Sequence, residues 1–411
     1  MTPWCSRWLE GLRILKTPLY RNSLYILLTS MINSVMGVLF WIVATAMYSA
    51  EEVGITSGLV ALVSLPIALT RFGLDQSLIR FFPDGSKNSI LATTIVITTV
   101  SSMIVGFVIS LGVSLISDDL SLIRQHMMWY IAFVFAGSLL SILTTSFVAL
   151  RQGKAYLLQN VLVHSKILFA FPLVALGVVG LFYSYGFSVL LAVLFGYVLL
   201  LKHGVKPRGF DKDFLRSSWL FSAGNYFVSL LMTVPVFVLP ILVINVLGPE
   251  DAGRYYIAYT ISAIFFIVPG SFSLSLFVEG SHGEPTRINA IRAMKSSFYL
   301  LIPGVVLILL FAESILGVLG DAYVGASTLM RTMVLSSFLV TIWSVFYSVK
   351  RIQKDIHMLA FVGALISIVV MVLSYCFMSQ MGIDGMGYAW ISGYGVGSVA
   401  AVLIGRREKW I

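Results

Sequence analysis

Apolar runs of about 20 residues, separated by short polar breaks, recur from residue 23 to residue 405, and nothing else in the chain narrows its fold so far. A run of that length matches a helix crossing a hydrocarbon core of about 30 Å, whereas a membrane strand alternates in polarity over roughly 10 residues. The chain is 58% hydrophobic and 11% charged, with a mean hydropathy of +0.95, which is more apolar surface than a water-soluble core can hide. An all-α polytopic membrane protein is therefore predicted. Its spans fall at about 23–48, 53–82, 89–116, 125–150, 156–180, 183–201, 217–247, 253–278, 296–319, 326–349, 357–380 and 385–405, which makes about 12 transmembrane helices.

The breaks alternate in character. Lys87, then Arg151 and Lys154, then residues 202–216, then Arg287, Arg292 and Lys295, then Lys350, Arg351 and Lys354, then Arg406, Arg407 and Lys409 fall on one side. Cations collect in cytoplasmic loops, so these breaks and both termini are expected inside. The opposite breaks, SAEEVG, SDDLSLIRQH, YSYG, GPEDAG, GDAYVG and GIDG, are short, acidic or glycine-rich. The net charge of +9 is thus an orientation signal rather than a nucleic-acid surface. Cys5 and Cys376 lie in different regions and imply neither a disulfide framework nor a metal site.

The expected organisation is an interfacial amphipathic segment at 1–21, a six-helix bundle at 22–201, a cytoplasmic linker at 202–216, a second six-helix bundle at 217–405 and a tail at 406–411. Trp4, Trp8, Leu12, Leu15 and Leu19, with Arg7, Arg13, Lys16 and Arg21 among them, mark the first of these as surface-lying. The run after it is longer than the apolar core of a cleaved signal peptide. The halves look alike: Glu51, Glu52, Val53 and Gly54 recur as Glu250, Asp251, Ala252 and Gly253 at the first outer break of each. Parallel repeats of this kind place a binding site between the halves near the midplane.

No break is long enough for a soluble catalytic domain, and no phosphate-binding glycine loop, nucleophile elbow, HExxH or paired-Cys pattern occurs. No enzyme, cofactor or metal centre is expected, and any chemistry falls to intramembrane side chains. Lys166 lies about eleven residues, or roughly 16 Å, from the basic end of its span. A snorkelling stem would have to climb most of a leaflet, so a wet cavity is the favoured setting. Asn160 and His164 share a face at i, i+4, suited either to helix packing or to a ligand, and Lys166 is turned about 200° from His164. Arg331 stands in the first two turns of its span, where snorkelling and a cavity role compete, and Arg254 is nearer still to its outer break. Glu313 and Asp321 flank an outer break, where solvation is expected. In RFGLDQSLIRFFPD, residues 71–84, Arg71 and Asp75 are spaced for an ion pair on one helical face, and Arg80 reads as an inner anchor. Charge at membrane depth is costly, so such residues are paired, wet or functional.

GLDQSLIRFFPD resembles the signature of polysaccharide and O-antigen flippases, within the multidrug/oligosaccharidyl-lipid/polysaccharide exporter superfamily. GPEDAGRYYIAYTISAIFFIVPGSFSLSLF, FAESILGVLGDAYVGASTLMR and GIDGMGYAWISG are similar to three later passages of that family. The resemblance implies a V-shaped transporter of two six-helix bundles that alternates between inward-open and outward-open states. It implies a polyprenyl-pyrophosphate-linked oligosaccharide as substrate, a cationic cavity, and coupling to H⁺ or Na⁺. It also implies the cytoplasmic membrane of a prokaryote, and membrane lipids with the glycosyltransferases or polymerase of the same pathway as partners. Lys166, Arg71 and Arg331 then become the cations facing the diphosphate, with Asp75 either a coupling carboxylate or the partner of Arg71. A drug exporter of the same superfamily is the first alternative, although it would be expected to carry cavity carboxylates where this chain has a lysine. A lipid II flippase remains open. A membrane-embedded polymerase or glycosyltransferase would be expected to show a large outer loop or an acidic catalytic motif.

Overall fold

The computed structural model describes residues 18–82, 85–281 and 285–408, except for a few side chains within the helices, and no strand occurs among them. Helices α1 (Pro18–Met47), α2 (Ala50–Leu69), α3 (Leu74–Phe81), α4 (Lys87–Ile116), α5 (Leu122–Gln125), α6 (Met127–Ala149), α7 (Gly153–Val163), α8 (Lys166–Leu173) and α9 (Gly177–Lys202) precede the linker. After it come α10 (Lys212–Leu247), α11 (Pro249–Ser281), α12 (Thr286–Leu319), α13 (Asp321–Val324), α14 (Ser327–Ile352), α15 (Ile356–Met381) and α16 (Asp384–Arg407). Most of the expected amphipathic segment at 1–21 lies outside the described residues, as do Pro83, Asp84 and Lys409.

Eleven described stretches are long and apolar enough to cross a membrane. Ten cross once, and Gly153–Lys202, at 50 residues, would reach about 75 Å as a straight helix, more than twice a bilayer core. It folds back instead, giving the twelve passes expected. A 3₁₀ turn at Val174–Leu176 leads into Gly177 at φ 54°, a conformation open to glycine, and α7 and α8 then pack along α9. This corrects the break expected at YSYG: residues 183–186 lie inside α9, and the turn comes some eight residues earlier. Gly186 is there for close packing, since a Cβ on it would stand 2.2 Å from the Phe133 ring.

A second correction concerns residues 71–84. The span expected to run to residue 82 ends at Leu69, the chain turns through left-handed backbone at Phe72 (φ 49°) and Gly73 (φ 70°), and α3 starts afresh. Leu74, Ser77, Leu78 and Phe82 are buried while Gln76 and Arg80 are exposed, so this short helix is amphipathic.

Two compact units divide the described residues. The first holds 18–40, Leu69–Ser110 and His126–Ala223. In its core, Leu78 and Phe82 meet Leu91 of α4, Phe147 of α6, Leu200 of α9 and Phe214 of α10. The linker is strapped to the start of α4: Asn88 Oδ1 accepts from the Lys206 amide at 2.9 Å, and the Asp211 amide donates to Thr93 Oγ1 at 2.7 Å. Along α4, Thr94 and Thr98 donate to carbonyls one turn back, so a hydroxyl-rich helix enters lipid with those donors satisfied.

The second unit holds Trp41–Ala68, Leu111–Gln125 and 224–408. The well-enclosed helix α14 packs against α11, α12 and α16 through residues such as Leu329, Met333, Val345 and Phe346. Here the recurring tetrapeptides meet. A Cβ on Gly54 would lie 1.8 Å from the Pro249 carbonyl oxygen, and one on Gly253 would lie 2.1 Å from that of Ala50, so α2 and α11 touch backbone to backbone. Leu115 (94% exposed), Met128 (88%) and Val318 (85%) are large apolar side chains turned outward, as a hydrocarbon solvent requires.

The halves share one more device. After α6, the Gln152 amide donates to Phe147 O at 2.8 Å and the Arg151 amide to Val148 O, with Arg151 left-handed at φ 56°. After α14, the Asp355 amide donates to Lys350 O at 2.9 Å and the Lys354 amide to Arg351 O, with Lys354 at φ 59°. Both helices close on the same left-handed cap, at matching places in the topology.

Candidate functional site

The site is built from residues of α1, α7, α8 and α9 that belong to the first unit. Between α7 and α8 the hydrogen-bond ladder tightens. The His164 amide donates to Val161 O, that of Ser165 to Leu162 O and that of Ile167 to His164 O, each at 3.1 Å and each spanning three residues instead of four. Lys166 opens α8. It lies thirteen residues from Gly153 and eleven from Gly177, or about 20 and 16 Å along a helix, which puts it near mid-depth.

The Lys166 ammonium lies 4.5 Å from the centroid of the Phe40 ring and 5.9 Å from that of Tyr185. Among the described residues no carboxylate pairs with it. Ring faces attract a cation by about 0.5–2 kcal/mol each, far less than a carboxylate would supply in a low-dielectric setting. The charge is cradled without being neutralised.

Beside it runs a polar chain. Asn33 Nδ2 donates to Asn160 Oδ1 at 3.1 Å, and Asn160 Nδ2 donates to Tyr156 O at 2.8 Å. Asn33 is thereby oriented with its carbonyl oxygen toward His164, whose Nε2 lies 2.9 Å away and must donate. The other imidazole nitrogen, Nδ1, is then an acceptor, and it is buried and without a partner; the Ser165 hydroxyl and the Gln159 Nε2 donor are also buried and unpaired. Gln159 is held by its other end, Oε1 accepting from Thr144 Oγ1 at 3.1 Å. An unpaired buried polar atom costs about 1–3 kcal/mol. Two of them, His164 Nδ1 and Ser165 Oγ, lie within one turn of the lysine and mark a place made for something polar, whereas Gln159 stands two turns earlier, against Thr144. Asn33 and Phe40 are seven residues apart, hence on one stripe of α1, and the tightened turn lets His164 and Lys166 address that stripe together.

The other residues singled out from the sequence are dispersed. Arg71 is exposed in the turn before α3, and the helix break removes the shared face with Asp75; no ion pair joins them in this structure. Arg80 lies over the Phe81 ring at 5.6 Å. Arg331 pairs with Glu313 at 3.1 Å and donates to Leu309 O, and Arg254 pairs with Glu250 at 2.5 Å and Asp251 at 2.7 Å. Glu313 remains exposed, as expected of a solvated carboxylate, while it pairs with Arg331. Phe40, Ser165 and Tyr185 escape the sequence because an apolar or small polar residue in a span carries no signal without the charge that the fold brings beside it.

An all-helical chain with this element order has the fold of the MOP exporter superfamily. An inward-facing multidrug resistance MATE family transporter of that superfamily superposes with a TM-score of 0.66 at 15% identity, covering 94% of this chain and 98% of its own. The lipid II flippase MurJ, in an inward closed conformation, gives 0.75 at 11% identity, covering 93% and 87%. A MOP superfamily transporter from Pyrococcus furiosus, whose binding pocket is described as of reverse polarity, gives 0.61 at 17% identity, covering 95% of each chain. Comparison with curated proteins finds no match. Residues 19–267 match the family described as Polysaccharide biosynthesis protein, and the chain belongs to that family.

Proposed function

We propose that this protein is a flippase that carries a polyprenyl-(pyro)phosphate-linked oligosaccharide across the cytoplasmic membrane of a prokaryote by alternating access, with both termini inside. The observation that carries the reading is Lys166, a cation near mid-depth with no carboxylate partner among the described residues and two unsatisfied polar atoms, His164 Nδ1 and Ser165 Oγ, in the turn before it. A diphosphate entering hydrocarbon must exchange its hydration for cations and donors. Lys166 supplies the charge, and Ser165 Oγ supplies a donor beside it. A lipophilic cation, the cargo expected of a drug exporter, would meet repulsion at the same spot. Arg71, exposed in the turn before α3, and Arg80, exposed on α3, are candidates for first contact with a head group at the basic end, whereas Arg331 and Arg254, held by acids, are weaker ones. Asp75, unpaired with Arg71, is available as a carboxylate for H⁺ or Na⁺ coupling.

The test is transport of lipid-linked sugar into inverted vesicles or complementation of glycan export. Lys166→Ala should abolish transport at unchanged protein level, and Lys166→Arg should retain part of it. Transport by Lys166→Ala at the wild-type rate would remove the lysine from the mechanism and the reading with it.

A further inference from the structure

Within the second unit, α10, α11 and α14 enclose a cavity of about 360 Å³, inside the usual range of small-ligand sites. Its lining combines two aromatic residues of α14, Trp343 and Tyr347, with the hydroxyl-bearing Ser229, Thr233 and Ser344, and ends at Arg351. Trp343 and Tyr347 are one turn apart on one face, ring centroids 5.9 Å from each other. The wall behind them is locked: Ser273 Oγ lies 2.6 Å from Ser348 Oγ and donates to Ser344 O at 2.6 Å, clasping α11 to α14.

Arg351 is the informative member. Its guanidinium lies 4.1 Å from the centroid of the Phe277 ring and 5.5 Å from that of Tyr347. Among the described residues no carboxylate pairs with it, while the preceding residue, Lys350, is held by two. Aromatic residues fix the plane of the guanidinium and leave its donors to a ligand, and a planar fork of donors matches phosphate oxygens. Sugar rings present C–H faces that pack on aromatic side chains and hydroxyls that pair with serine and threonine.

We infer that this cavity is a second substrate-binding site, which takes the phosphate and the adjoining sugar ring of a phosphate-linked saccharide. Arg351 holds the phosphate and Trp343, Tyr347 and the hydroxyl residues hold the ring. The site rests on the flippase reading and adds to it. Arg351 lies in the last turn of α14, at the basic end, so the cavity meets the head group near the membrane surface, whereas Lys166 lies near mid-depth in its own helix.

The experiment measures binding of two probes to the full chain in lipid nanodiscs: farnesyl diphosphate carrying N-acetylglucosamine, and farnesyl diphosphate without the sugar. Arg351→Gln should weaken both by about ten-fold, as loss of a charge-assisted hydrogen bond predicts, with Arg351→Lys intermediate. Tyr347→Leu should weaken only the sugar-bearing probe. The same ratios should persist in a Lys166→Ala background, because the two sites are separate. Binding that Arg351→Gln and Tyr347→Leu leave unchanged, in variants that unfold at the wild-type temperature, overturns the second site alone. A wild-type protein that binds neither probe overturns the flippase reading and the second site together.

Discussion

Lys350 and Arg351 are neighbours in sequence and opposites in surroundings. The Lys350 ammonium, 1% exposed, sits 2.9 Å from Asp355 Oδ2 and 2.6 Å from Glu408 Oε1, so it ties the end of α14 to the start of α15 and the end of α16. Breaking a buried pair costs about 3–5 kcal/mol, but both carboxylates are about a third exposed, so Lys350→Met should cost nearer 1–3 kcal/mol, read as a lower unfolding temperature in detergent. The hydrogen bond from Lys350 holds the Asp355 carboxyl below its ordinary range. Such a group stabilises the fold at any pH above the ordinary carboxylate range and loses that contribution as pH falls through its depressed folded value. Acidification below about pH 4 should therefore destabilise the wild type more than Lys350→Met, measured as unfolding temperature against pH. The sequence presented both residues only as cations at a helix end. Charge type and depth were legible there, as Lys166 illustrates, but a partner 58 residues away was not. For the same reason the sequence leaves snorkelling and a cavity role open for Arg331, whose partner Glu313 stands eighteen residues back.

At the level of helices, apolar length located nearly every pass, because a bilayer imposes one dimension on all of them. The two misplaced features share a cause. At residues 71–75 left-handed backbone at Phe72 and Gly73 stops the helical period that the sequence continues, and at residues 183–186 the small residues Ser184 and Gly186, which read as a turn, lie inside α9 in close packing. Small residues serve both turns and close helix contacts, and composition does not separate the two. The contact of α2 with α11 is the sharpest case. Gly54→Val and Gly253→Val each drive a side chain into backbone, which cannot move aside as a side chain can. Each should disfavour the arrangement seen here and raise modification of a cysteine placed at Ser57, which is fully buried in it. Unchanged labelling of Ser57→Cys would show that the close approach is dispensable.

For the molecule as a whole, twelve passes and one-sided cations predict that Gly204→Cys and Asp119→Cys, both at exposed positions, label from opposite faces of the membrane. The background should have Cys5 and Cys376 replaced by serine, and labelling from one face would overturn the topology. What the sequence could not convey at this scale is how its halves are divided: residues 41–68 and 111–125 cluster with the C-terminal half, a matter of long-range packing that no local pattern encodes. The twin caps at Arg151 and Lys354 carry a consequence for how such a chain is made. A left-handed backbone costs a side-chain-bearing residue about 1–2 kcal/mol that glycine avoids, so Arg151→Gly and Lys354→Gly should raise the unfolding temperature. Each exchange also deletes a cation from a loop whose charge directs insertion. The two positions thus face opposed demands, a glycine for the left-handed backbone and a cation for the orientation that one-sided charge is expected to set.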